Sequence, residues 1–346
     1  MRILIALGGN ALLKRGEVLS PAHQQLAIDT AAQSLAGLVQ AGHQVIITHG
    51  SGPQVGLLAL QSAAGPAESA LPLDVLDAES QGWLGFAIEL ALRNALPAGT
   101  EIVTLLTQIA VAADDPAFAS PSKPIGPVYT EAEADRLAKA HGWSVAADGA
   151  GWRRVVASPS PVDVIERRSI ARLVRAGALV ICGGGGGIPV AKDAANRWRG
   201  VEAVIDKDAS SAMIARMIGA DLLVILTDVA GVYLDYGTPE ARLIRAASPS
   251  ALAAHATDFH AGSMGPKVDA ACDFAHRTGR RAAIGALDDL PAIIEDRAGT
   301  RITSREPALV FATPKGVQEI PKGVQEIPKE VTAMPKRVAI TSIKFP

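Results

Sequence analysis

The chain has 346 residues, 49% hydrophobic, 20% charged and 4% aromatic, with a formal charge of -2. That size and balance fit one large α/β domain or two closely joined ones, and the charge does not suit a general nucleic-acid binder. Two cysteines, Cys182 and Cys272, make neither a disulfide framework nor a zinc site and point to a cytoplasmic setting, while no apolar run reaches membrane length.

Short apolar runs alternate with segments of helical period. Arg2–Leu7 (RILIAL) reads as a strand buried on both faces and runs into Gly8, Gly9 and Asn10. Gln24–Gln40 reads as a helix, Val45–Thr48 (VIIT) as the next strand, and HGSGPQVG follows at His49–Gly56. Pro66–Leu76 reads as a surface loop and Ile102–Leu106 (IVTLL) as a third strand. Asp114–Pro161, rich in Pro, Gly, Trp and charge, is an excursion outside the main sheet and suits a lid. A helix over Val162–Arg175 and a strand at Leu179–Cys182 (LVIC) lead into five glycines, Gly183–Gly187. A helix at Ser210–Ile218, a strand at Leu222–Leu226 (LLVIL) and a helix from Lys267 through Phe274 complete the rhythm. Such alternation predicts a largely parallel sheet covered on both sides, with a ligand at the carboxyl ends of its strands. From Pro314 a seven-residue unit, PKGVQEI, repeats and decays; its prolines forbid a continuous helix, so an extended or disordered tail is expected.

Three successive strand ends carry glycine-rich turns, so backbone N–H groups and helix N-termini converge on one crevice. That geometry favours phosphate or carboxylate. No G-x-x-x-x-G-K-[ST] loop is present, Ile188 breaks G-x-G-x-x-G, and no G-x-S-x-G elbow occurs. Positive charge comes from Lys207, between Asp206 and Asp208 at a helix start, and from Lys267, in the opening turn of another helix. A lysine there opposes the helix dipole, a poor structural choice but a good phosphate ligand. The pair suits a clamp on a transferring phosphoryl group. His49 beside the second turn fits a structural hydrogen bond better than catalysis. His255 and His260 lack a third metal ligand.

The motifs ALGGNALL, HGSGPQVG, SKPIGP, GWRRVV, CGGGGGIPV, GVEAVIDKDAS, LVILTDVAGVYLDYG and GSMGPKV stand in the order seen in carbamate kinases of the amino acid kinase superfamily. The resemblance covers Met1–Thr303 and leaves the repeat tail outside. It implies a three-layer αβα sandwich on a mostly parallel sheet, with residues 1–313 as the kinase-like domain and 314–346 as tail. The amino half is expected to hold carbamate, residues 207–313 the nucleotide, and residues 114–161 to form the protruding lid. It further implies a cytoplasmic homodimer in arginine metabolism, exchanging phosphate between ATP and carbamate, with Mg2+ accompanying the nucleotide and no metal ligand of its own.

By the same resemblance Lys207, Lys267, Asp208 and Lys123 are the catalytic set, Lys123 reaching in from the lid. Gly8, Gly9, Asn10, Gly50, Ser51, Gly52, Gly184, Gly185, Gly186 and Gly187 hold the substrate anion. Thr227, Asp228, Val229, Tyr233 and Met264, with Lys207 and Lys267, meet the nucleotide. Ser51 stands where the family often has Asn, keeping a hydroxyl but losing the amide's reach. The alternatives are an amino acid kinase for another small carboxylate or phosphonate, and a non-catalytic ligand sensor. Retention of both lysines and Asp208 disfavours the sensor.

Overall fold

A computed structural model describes residues 1–9, 20–149, 151–259, 262–306 and 308–312; Asn10, His260 and the tail from 314 lie outside these. In chain order the described elements begin with β1 (Arg2–Leu7), α1 (Pro21–Gln40), β2 (Gln44–His49), α2 (Gly52–Ala63), α3 (Leu73–Ala95), β3 (Ile102–Thr104) and β4 (Gln108–Val111). There follow β5 (Lys123–Tyr129), α4 (Glu131–His141), β6 (Ser144–Asp148), β7 (Gly151–Val156), β8 (Pro161–Val164), α5 (Arg167–Ala176), β9 (Leu179–Ile181), β10 (Ile188–Lys192) and β11 (Trp198–Gly200). The remainder holds α6 (Lys207–Ile218), β12 (Leu222–Thr227), β13 (Val232–Leu234), β14 (Arg242–Ala247), α7 (Pro249–Ala253), α8 (Met264–Thr278), β15 (Arg281–Ala286), α9 (Leu290–Ile294), β16 (Thr300–Ile302) and β17 (Val310–Phe311).

The main sheet runs β13-β14-β16-β15-β12-β1-β2-β9-β3, with β17 added to β14. From β15 through β3 every pairing is parallel, and antiparallel pairs appear only toward the β13 end. β1 shows why both faces are covered. Ile3, Ile5 and Leu7 join an apolar cluster with Ile28 and Leu35 of α1 and Leu84 and Ile88 of α3. Leu4 and Ala6 join the opposite cluster with Val174 of α5, Ile214 of α6 and Phe274 of α8. Alternate residues of one strand therefore feed two cores, which is what a continuous apolar run in a parallel sheet encodes.

Helix ends are set by local chemistry. Ser20 accepts the His23 amide at the start of α1, with Pro21 next. Asp206 caps α6 by accepting the Asp208 and Ala209 amides, and Gly219, at φ 65°, ends it. Thr130 caps α4 and left-handed Gly142 stops it.

The excursion folds on itself. β5, β7 and β6 form a separate three-stranded antiparallel sheet covered by α4. It rests on α2, where a methyl group at Gly56 would come within 2.0 Å of the Gly126 backbone. A four-stranded sheet, β11-β10-β4-β8, bridges this region and the glycine run.

Several boundaries differ from those read in the sequence: α1, α6 and α8 each start three residues earlier, at Pro21, Lys207 and Met264, and α8 runs on to Thr278. Val162 is in β8, not a helix: Pro161–Val164 pairs antiparallel with β4, and α5 starts only at Arg167. The third strand stops at Thr104. Pro66–Leu76 is a loop only in part, because α3 begins at Leu73 and buries Leu73 and Leu76.

Candidate active site

The carboxyl ends of β1, β2, β9 and β12 lie side by side, and the turns that leave them meet. Gly8 follows β1 so closely under β12 that a methyl group there would sit 2.6 Å from the Leu226 carbonyl oxygen. Gly50 donates its amide to the Leu7 carbonyl at 3.0 Å. A Cβ on Gly50 would touch the Gly9 amide nitrogen and the Lys207 side chain, each at 3.3 Å. Gly52 opens α2, and Ser51, 2% exposed, stands at its N-cap position without a side-chain capping bond.

The five-glycine turn owes much of its composition to backbone geometry. Gly183, Gly185, Gly186 and Gly187 have φ of 60°, 68°, 101° and 95°, a region that costs other residues strain. Added β-carbons would strike His49 from Gly184, Ser51 from Gly185, the Ile205 carbonyl from Gly186 and Ile109 from Gly187, at 2.1–2.5 Å. The Gly183 amide bonds Thr107, and those of Gly186 and Gly187 bond the Gly183 and Gly184 carbonyls.

At the N-termini of α6 and α8, one carboxylate holds two ammonium groups. Asp208, 2% exposed, accepts from Lys207 on Oδ1 and from Lys267 Nζ at 3.1 Å on Oδ2. Burial pulls the Lys207 pKa down and the Lys267 charge adds to this, while Asp208 and Asp206 oppose it. Lys123, the first residue of β5, reaches across to Asp206 Oδ2 at 2.8 Å. Burial works against the Asp206 charge, but Lys123 and then Lys207 outweigh it and hold that carboxyl below its usual range. Ser210 Oγ donates to the Gly186 carbonyl at 2.6 Å, and Thr48 Oγ1 meets Ser211 Oγ at 2.7 Å, tying α6 to the glycine turn and to β2.

His49 is buried, with Nδ1 3.3 Å from the Gly50 carbonyl oxygen. Burial lowers its pKa to about 4, with the Lys207 charge adding, so the imidazole is neutral near pH 7 and serves packing. Helix α3 adds residues not singled out in the sequence. Ser80 Oγ donates to Ser51 Oγ at 3.1 Å, and Gln81 Nε2 donates to the Gly184 carbonyl at 2.8 Å. Their signal was a pair of polar residues on the buried face of an apolar helix.

Beyond Lys267 a cavity of about 440 Å³ opens beside the end of β12 and the start of α8. Thr227, Asp228, Val229, Tyr233, Met264 and Lys267 all line it, joined by Tyr236 and Phe259. Of the nucleotide set only Lys207 lies outside its wall. The glycine turns thus abut Lys207 at Gly50, and Lys267 lines the aromatic-walled cavity.

Residues 1–286 match the family model for the amino acid kinase family. A carbamate kinase of Haemophilus influenzae is 48% identical over 311 residues, covering 90% of this chain and 99% of that protein. One from Rhizobium meliloti is 50% identical over 306 residues, covering 88% of this chain and 94% of that protein. The structure of a Giardia lamblia carbamate kinase bound to AMP-PNP superposes with a TM-score of 0.79 at 38% identity, covering 87% of this chain and 98% of that one. Matched by that family model over residues 1–286 and by carbamate kinases at 48% and 50% identity over nearly its whole length, the chain belongs to the amino acid kinase family, among its carbamate kinases.

Proposed function

We propose that the chain moves a phosphoryl group reversibly between ATP and carbamate, making ATP from ADP and carbamoyl phosphate in the catabolic direction. The observation that carries this reading is the buried Asp208 carboxylate with Lys207 and Lys267 on its two oxygens. Carbamate kinase relatives at 48% and 50% identity over nearly the whole length support the reaction. As the phosphorus–oxygen bond to carbamate breaks and one to the ADP oxygen forms, charge spreads over three oxygens of the group in flight. Two ammonium groups already fixed by Asp208 meet that charge without reorganising.

The substrate anion takes the turns of Gly8, Gly9, Gly50, Ser51 and Gly52. Gly184, Gly185, Gly186 and Gly187 complete the set, the Gly186 and Gly187 amides also closing the turn itself. Asn10, outside the described residues, joins this set by resemblance alone. Adenine and ribose take the cavity walled by Val229, Tyr233 and Met264. Lys123 comes from the β5-β7-β6 sheet, residues 114–161 acting as a lid that excludes water from the transfer.

Mg2+ fits as an ion carried by the nucleotide's phosphates. Asp206 and Asp208 both face lysines. The ion supplies neutralisation of phosphate charge when bound.

A homodimer is supported by apolar surface near the free edge of the main sheet. Phe86 and Leu90, one turn apart on α3, are 64% and 45% exposed, and Leu106, just past edge strand β3, is 53% exposed. A cytoplasmic setting fits two free thiols, Cys182 and Cys272, which burial pushes up to about 12.

Donor choice tests the reaction. ATP formation from ADP should be fast with carbamoyl phosphate and at least about a hundredfold slower with acetyl phosphate. Equal rates, or ATP from acetyl phosphate alone, would replace carbamate with another small carboxylate.

A further inference from the structure

Asp77 is the most anomalous polar group among the described residues. Its side chain lies on the buried face of α3 and is 1% exposed, yet neither carboxyl oxygen has a hydrogen-bond partner among the described residues. A buried, unpartnered carboxylate is costly, and a helix position next to Leu76 and one turn from Leu73 could have held an apolar residue instead. Such a group points to a partner acquired in another state.

The surroundings name that partner. Leu73 and Leu76, on the same turns of α3, share an apolar cluster with Ile125, two residues from Lys123, and with Val204, two residues before Asp206. Three residues further along α3, Ser80 binds Ser51. The charges that act on Asp77 are Asp74 on its own helix, Glu202 on the segment after β11, and Lys123 on β5, which is the one cation among them.

We propose that Asp77 is a positioning residue, the second acceptor for the Lys123 ammonium, which it takes when that group leaves Asp206 during turnover. The inference rests on the reading of Lys123 given above. With Asp206 as its sole partner, Lys123 is neutralised at the mouth of α6. Shared with Asp77, it stands toward Ser51 with two donors left for the incoming anion. No bond is made or broken in the step; a lysine side chain changes rotamer. The lysine's three donors and long stem make such an exchange cheap.

Ionisation gives the device a signature. Burial raises the Asp77 pKa, and Asp74 and Glu202 raise it further, while Lys123 lowers it. Asp77 attracts the lysine only when ionised, so carbamoyl phosphate use should rise with pH through that ionisation, above the ordinary carboxylate range. The stability sign is opposite. A carboxyl whose folded pKa is raised loses stability as pH rises past its unfolded value, so removing the charge should not unfold the protein.

A double-mutant cycle on the full chain tests this, with kcat/KM for carbamoyl phosphate measured from pH 5 to 9. Expected are a loss of about tenfold in Asp77→Asn, a larger loss in Lys123→Ala, and no further loss in the double variant. The acid limb of the profile should be absent from Asp77→Asn, whose thermal midpoint should equal or exceed that of the unmodified protein. Effects that multiply, an unchanged acid limb, or a lowered midpoint in both Asp77→Asn and Asp77→Leu would overturn the proposal. Should Lys123→Ala alone leave kcat/KM unchanged, the lysine's assignment fails first, and the proposal with it.

Discussion

Single residues at this site answer to partners far along the chain. Ser51 accepts from Ser80 of α3 at 3.1 Å and abuts Gly185, so its own O–H is left to donate to a ligand. Ser51→Ala should raise KM for carbamoyl phosphate roughly tenfold, the scale of one lost hydrogen bond to a charged group, and leave KM for ADP nearly unchanged. Steady-state kinetics with each substrate varied in turn would show it, and equal shifts in both would place Ser51 elsewhere. His49 makes a different contribution. Its folded pKa of about 4 lies below the ordinary histidine value of 6.5, so between those values the unfolded chain takes up a proton that the folded chain refuses. The stability concerned is fully present above pH 6.5 and is lost as pH falls toward 4. Its size is on the order of 3 kcal/mol. Urea unfolding at pH 4.5 and pH 7 should show that difference shrinking in His49→Gln. An undiminished difference would assign the acid sensitivity to other groups.

Among elements, the contact between α2 and the β5-β7-β6 sheet is decided by two glycines. A methyl group on Gly56 would come within 2.0 Å of Gly126, and Gly126 itself sits at φ 71°. Gly56→Ala should therefore lift the small sheet and carry Lys123 away from Asp206. KM for carbamoyl phosphate should rise roughly tenfold, amide exchange across β5 and β7 should speed up, and ADP affinity should hold. Unchanged exchange would show that the sheet does not depend on this contact. Such contacts explain what the sequence could and could not disclose. The runs RILIAL, VIIT, LVIC and LLVIL are legible because strands buried on both faces need unbroken apolar residues, and each ends in its turn. The β8–α5 boundary is not, because Pro161–Val164 is a strand only through its antiparallel partner β4. Gln81 showed only as a polar residue on an apolar helix face, because its partners Thr107 and Gly184 are 26 and 103 residues away. Asp77 looks, in sequence, like one more surface acid beside Asp74 and Glu79.

For the whole molecule, the anion turns, the lysine clamp and the aromatic-walled cavity all belong to residues 1–312, which form one compact unit. Its exposed Phe86 and Leu90 lie near the open β3 edge of the main sheet. Phe86→Asp should give a monomer by light scattering at micromolar protein while the fold persists; an unmodified protein already monomeric would remove the homodimer. The central claim is that Lys207 and Lys267, set by Asp208, stabilise the phosphoryl group in flight. The direct measurement is coupled ATP formation from ADP and carbamoyl phosphate by Lys207→Ala and Lys267→Ala, with ADP affinity determined alongside. Each variant should lose about 10²–10³ in kcat, the scale for one preorganised charge donor, with ADP affinity changed far less. Near-normal turnover in either variant, or a loss confined to ADP binding, would contradict the account.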